Sequence, residues 1–338
     1  MPHRRLLLGA TLALPALARA ETLPALARAE TLPTLARAEE ALRQVTVVVA
    51  FPAGGATDGA ARLVAAALKG SYAANAIVDN RTGAGGRLGT EHVKQAPADG
   101  SVLLYTPAFP LMIFPHIYRR LGYDALRDFT PVVQTTRGVH ALSVGPAVPD
   151  GVRTIADFIA WCRANPEKAQ FGAPSGSSQH FAGAMFARAA GIELTLVPYR
   201  GGAPVVTDLV GGHLAAGVNP LPEVLPQQGR GLRILATTGA QRSRFTPDVP
   251  TLAEAGYPTV VFQDWSGVLA PAGTPAPLLE RVHALVSDLL RSAAGAAAFA
   301  RLGAEPEPTT MAAFDAGYRR DFARYADVVR ATGFVAED

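Results

Sequence analysis

The chain has 338 residues, more than one average domain requires, and its 49% hydrophobic against 17% charged content excludes a disordered polymer. Two lobes with real cores are expected. The formal net charge of +3 is small, and no Lys/Arg cluster of the kind that grips nucleic acid is present, so nucleic acid is excluded as a partner.

At the start, His3-Arg4-Arg5 precedes an apolar run over residues 6–17 and the small-residue site Ala18-Arg19-Ala20. This is the pattern of a secretory signal over residues 1–20. A membrane anchor is the competing reading, but Pro15 and Arg19 leave a run short of the roughly 20 apolar residues that span a bilayer. Arg4-Arg5 admits twin-arginine as well as general export, and the route stays open. The block PALARAETL at 15–23 recurs at 24–32 and decays over 33–41, giving Ala-Arg-Ala sites that end at Ala20, Ala29 and Ala38. Residues 21–43 are expected to be a flexible, repeat-derived segment. Cleavage after Ala20 removes Arg4, Arg5 and Arg19 and no acid, so 31 basic residues fall to 28 against 28 acidic ones.

Residues 45–51 form a β-branched run, stopped by Pro52-Ala-Gly-Gly55 and followed by helical spacing over 58–68. The alternation continues with a strand over 76–79, a glycine loop over 83–89, a helix over 90–95 and a strand over 102–106. Residues 107–137 read as loop-rich, then 141–144 as a strand and 154–163 as a helix capped by Thr154 with Asp157 three residues on. The second lobe repeats the pattern: strand 170–172, helix 178–190, strand 194–198, helix 203–209 and strand 234–238. A return strand over 267–270 and helices over 277–292 and 314–332 close the chain, the helices packing back on the first lobe. Alternating β and α elements imply mainly parallel sheets. The boundaries expected are 44–140 plus 265–338 for lobe 1 and 141–264 for lobe 2.

The loop Phe51-Pro52-Ala53-Gly54-Gly55-Ala56-Thr57-Asp58 joins a strand to a helix N-terminus, where backbone N–H groups and the helix dipole favour an anion such as a carboxylate. Thr57 and Asp58 can equally be helix caps, and an aspartate there repels an anion. The loop 83–89 fails the dinucleotide fingerprint, because its third glycine would fall on Leu88. It reads as a second glycine loop, with Ala84 and Gly85 either shaping a turn or touching a ligand, Arg81 or Arg87 nearby, and Thr106 at the end of the third strand. The segment 171–180 carries Ser175, Ser177 and Ser178 ahead of another helix and reads as the opposing jaw. Ser177 and His180 invite a nucleophile-and-base reading, but no G-x-S-x-G elbow exists. The histidines never fall at H-x-x-x-H spacing, so neither a metal nor a cofactor is expected. Cys162, the only cysteine, lies in register with Ile155, Phe158 and Ile159 and reads as a buried thiol.

In order, FPAGGATDGAARLVA at 51–65, VDNRTGAGGRLG at 78–89, LGYDALRDFTPV at 121–132, FGAPSGSSQHFAG at 171–183, VPYRGGAPVVTDLVGGHLAAG at 197–217, RFTPDVPTLAEAGYP at 244–258 and WSGVLAPAGTP at 265–275 resemble the Bug family. These are the extracytoplasmic receptors associated with tripartite tricarboxylate transporters. The resemblance implies an α/β, type II periplasmic-binding-protein fold, with two lobes joined by a two-strand hinge. It implies a ligand carboxylate held by backbone groups and waters at residues 51–58, an opposing jaw of Ser175, Gly176, Ser177, Ser178 and His180, and further contacts from Tyr199, Arg200, Gly201 and Asn219. The serine loop is one residue shorter than the family form, and Ala184 stands where glutamate is frequent.

The function implied is a monomeric, non-enzymatic periplasmic solute-binding protein, delivering a small carboxylate to the permease subunits of a tripartite transporter. A periplasmic sensor for a signalling partner and, more remotely, a secreted serine hydrolase are the alternatives.

Overall fold

The computed structural model describes residues 42–336. The expected signal over 1–20, the repeats and most of the 21–43 segment lie outside the described residues. Leu42 and Arg43, assigned to that segment, instead open the first strand.

The first half of the fold begins with β1 (Leu42–Val49), α1 (Ala56–Leu68) and β2 (Ala73–Asn80). α2 (Arg87–Lys94) starts three residues earlier than its spacing suggested, directly out of the glycine loop, and β3 (Val102–Pro107) follows. β1 lies between β2 and β3, parallel to both. Val45, Val47, Val48 and Val49 are fully buried, as the β-branched run requires.

The stretch expected to be loop-rich departs most from expectation. Two short helices, α3 (Phe109–Met112) and α4 (Phe114–Ile117), are followed by the 16-residue strand β4 (Phe129–Val144). Its polar centre, Gln134, Thr135 and Thr136, is buried, and this hid the strand from an apolar-pattern reading.

In the second half come α5 (Ile155–Ala164), β5 (Gln170–Pro174), α6 (Ser178–Ala190), β6 (Thr195–Tyr199), α7 (Gly202–Val210), β7 (Ala216–Pro220), α8 (Leu221–Val224) and β8 (Arg233–Thr237). Thr154 and Asp157 form the expected capping box on α5. Ile155, Phe158, Ile159 and Cys162 form its buried face, where burial pushes the Cys162 thiol up to about 11. β7 was not expected, being five residues with a central Gly217 and a terminal Pro220.

The chain then returns through β9 (Gln263–Pro271) and ends in α9 (Ala276–Arg291), α10 (Ala293–Arg301) and α11 (Met311–Thr332). The strand order is β2-β1-β3-β9-β4-β7-β5-β6, with β8 also on β4. β4 pairs antiparallel with β9 over 129–139, then with β7 and β8 over its last residues. The two long strands thus pass between a β2-β1-β3 group and a β7-β5-β6 group, each internally parallel. α9 packs on α1 and β4, whereas α11 reaches both groups, touching β4, α4 and α6. Around it, Trp265, Phe314, Tyr318 and Tyr325 join one apolar core from Val48 to Phe186. No helix among the described residues is long and apolar enough to cross a membrane.

Candidate functional site

The predicted site residues gather at two strand edges. On the first, the loop after β1 enters α1 with Gly55 as N-cap and no side-chain cap, and residues 52–56 are exposed. The N–H groups of the first helical turn therefore have no side-chain partner at the N-cap. Gly54 stands at φ 86, in the left-handed region.

Asp58 is neither a free charge nor an N-cap. Its Oδ2 accepts from Gly54 N–H at 2.9 Å and Arg62 Nε at 2.9 Å, and its Oδ1 accepts from Asn80 Nδ2 at 3.0 Å. Burial alone would raise its carboxyl, but the donors Arg62, Gly54 and Asn80 outweigh it and hold the group below the usual range. Asn80 also donates to Phe51 O at 3.1 Å, so an aspartate and an asparagine from two elements clip the loop from within.

The glycine loop 83–86 abuts it: the space beside Gly86 is filled by the Phe51 ring, which stacks edge-on against Phe109 at 5.6 Å. Ala84 (φ 47) and Gly85 (φ 68) are both left-handed and exposed. Arg87 lies 4.0 Å over the Tyr118 ring, a cation–π contact, and Arg81 pairs with Asp79. Thr106 is buried, its hydroxyl donating to Pro107 O.

The second edge differs from the jaw of free hydroxyls expected there. Only Ser175 and Arg200 of that set are exposed. Ser177 Oγ donates to Pro174 O at 2.6 Å and accepts from His180 N–H at 3.3 Å, which makes it the N-cap of α6. The His180 ring accepts from Gly176 N–H through Nδ1 at 3.3 Å and packs against Phe181 and Phe334, and burial drives its pKa down to about 4. The ring thus addresses a backbone amide and not the serine hydroxyl. Tyr199 donates to Asp208, and Asn219 Nδ2 donates to Gly202 O and to Glu223 Oε2, each at 3.1 Å. Gly201 N-caps α7 without a side chain.

Ser178 leads to residues the motifs did not flag. Its hydroxyl donates to Asp264 Oδ2, Tyr325 donates to Asp264 Oδ1 at 2.8 Å, and His140 Nε2 lies 3.2 Å away without hydrogen-bond alignment. Burial would raise the Asp264 carboxyl, but His140 and the hydroxyl donors hold it low. Asp264 and His140 sit on the two crossing strands, and their long-range partners left no local signal.

A cavity of about 460 Å³ is bounded by Arg137, Pro222 of α8, Arg242, Gln263 and Glu305, and no predicted site residue lines it. Arg137 is paired with Glu307 and Arg242 with Glu254, so neither offers an anion a free cation. Among the described residues no cluster of three or more His, Cys, Asp or Glu could hold a metal ion.

The model of the tripartite tricarboxylate transporter family receptor matches residues 60–319. The chain belongs to this family. It is 34% identical to protein BugT of Bordetella pertussis over 294 residues, covering 86% of this chain and 90% of BugT. An R. palustris protein solved with adipate superposes with a TM-score of 0.80 at 34% identity, covering 87% of this chain and 98% of that one. MatC from Rhodopseudomonas palustris with bound malate follows at TM-score 0.75 and 28% identity, covering 85% and 99%. The receptor has the type II periplasmic-binding-protein fold of these relatives, two α/β lobes joined by β4 and β9.

Proposed function

We propose that this receptor captures a small carboxylate in the cleft between its lobes and delivers it to the membrane permease subunits of a tripartite transporter, with no chemistry of its own. The observation that carries the reading is the loop 52–56: open, uncapped by any side chain, and with the Asp58 carboxylate that clips it paired to Arg62. Such a loop presents backbone N–H groups and a helix dipole to an anion. The two relatives hold adipate and malate, both small carboxylates. On this reading the opposing edge at 175–178 and 199–201 closes over the ligand, and the inward partners of Ser177 and His180 argue against hydrolysis. The protein is exported by its N-terminal signal and works in the periplasm as a monomer.

A thermal-shift screen of small carboxylates tests this. A ligand at 100 times its Kd adds about 2.7 kcal/mol of stability, a clear rise in melting temperature. If no carboxylate moves the melt, the reading fails. Gly55→Val sharpens the test, because Gly55 has φ −78 and only Pro52 O at 3.7 Å beside it, so valine fits the fold while blocking close approach to the loop. Gly54, at φ 86, would strain on substitution and confound folding with binding. Unchanged affinity in Gly55→Val moves the site elsewhere.

A further inference from the structure

The second edge carries a carboxylate outside every motif. Glu223 lies in α8, which follows β7, and β7 runs parallel to β5 as β5 does to β6. Glu223, Ser175 and Arg200 therefore all follow C-terminal strand ends on one edge, where open α/β sheets bind ligands. Asn219 Nδ2 donates to Glu223 Oε2 at 3.1 Å and ties the same group to Gly202 O. A Cβ at Gly202 would overlap Oε2, so the carboxylate is pressed against the first residue of α7. Burial pushes this carboxyl above its usual range, while Asn219 and His140 pull it back. His140 Nδ1 and Asn219 Oδ1 are buried without hydrogen-bond partners.

The space at the first residue of α7 is thus taken by the chain's own carboxylate, whereas the loop at α1 is open. The geometry points to Glu223 as the residue that selects the far end of the ligand, favouring a hydrogen-bond donor, hydroxyl or ammonium, over a second carboxylate. This rests on the proposed capture of a carboxylate between the two edges. With one carboxylate at the α1 loop, a dicarboxylate brings its second charge against Glu223, and like charges at a desolvated contact are strongly disfavoured. An ω-hydroxy or ω-amino acid of the same length gives Glu223 a donor instead.

The test is calorimetric titration of the purified protein, at a pH near 8 where the ligand carboxylates are ionised, with two matched series. One comprises adipate, ω-hydroxyhexanoate, ω-aminohexanoate and hexanoate, the other succinate, ω-hydroxybutyrate, ω-aminobutyrate and butyrate. The hydroxy or amino acid is expected to bind at least about tenfold more tightly than its matched dicarboxylate. Glu223→Gln keeps the shape and the Asn219 contact, and is expected to cut that ratio by raising dicarboxylate affinity. A dicarboxylate or unsubstituted acid that binds as well as the matched donor acids in the parent protein overturns the inference and leaves carboxylate capture intact. So does a ratio unmoved by Glu223→Gln. Failure of all the acids to bind overturns both.

Discussion

His180 offers a pH-dependent stability that can be worked through. Its folded pKa is about 4 against an ordinary 6.5, because the ring is sealed between Phe181 at 5.0 Å and Phe334 at 4.7 Å with only the Gly176 N–H to satisfy it. Between those values the unfolded chain binds a proton that the folded protein refuses, so stability rises with pH and is lost as pH falls from 6.5 toward 4. At about 1.36 kcal/mol per pH unit the full gap is worth about 3 kcal/mol, of which about 2 are lost between pH ~7 and ~4.5. Other groups titrate nearby. His116, lowered by burial, acts in the same direction, while Glu223 and Asp321, raised by burial, lend stability at low pH that is lost as pH rises. The quantity to measure is therefore a difference: urea unfolding of the parent and of His180→Phe at the two pH values. Phenylalanine fills the same slot between the rings. The parent is expected to lose about 2 kcal/mol more than the variant on acidification. Equal losses would mean that His180 protonates in the folded state and that Phe334 does not seal it.

Two further predictions concern the first edge. Asp58→Ala removes the shared acceptor of the Gly54 N–H, the Arg62 guanidinium and the Asn80 amide, and is expected to cost about 1–2 kcal/mol in urea unfolding, with weaker ligand binding from a loosened loop; a neutral result would deny the clip. Gly89→Ala places a Cβ 2.7 Å from Arg81 O and 2.8 Å from Ala50 Cα, so α2 must lift from β1, at a cost of about 1–3 kcal/mol; a melt within error of the parent would show that the helix yields freely.

The sequence revealed what local rules determine. The Thr154–Asp157 capping box and the bounds of α6, 178–190, follow from neighbours within a turn, and both stand as read. β4 was legible only over 141–144, because its earlier half buries Gln134, Thr135 and Thr136 and contains Pro131 and Gly138, a composition that looks like loop. α10 offers a single large anchor, Phe299, in an alanine-rich run, too little for a periodic signal. The first-edge loop was readable because strand, glycines and helix are contiguous. Asp264, by contrast, meets Ser178 and Tyr325 across 86 and 61 residues, and no spacing rule reaches so far.

This difference in legibility matches a difference in chemistry between the two edges. The first presents backbone N–H groups, which attract any carboxylate and carry no information about the rest of the molecule. The second is saturated with side chains held by one another: Ser178 by Asp264, Asp264 by Tyr325, Asn219 by Glu223, with His140 beside Asp264. On the proposed reading, selectivity among carboxylates would come mainly from the second edge, where side chains differ in charge and donor character. Asp264 and His140 sit on the strands that join the lobes, so a change in the angle between those strands moves Ser178 with them. If the proposed capture holds, the groups that would distinguish one carboxylate from another are tied to the strands joining the lobes, so closing the cleft and reading the ligand would be a single physical event.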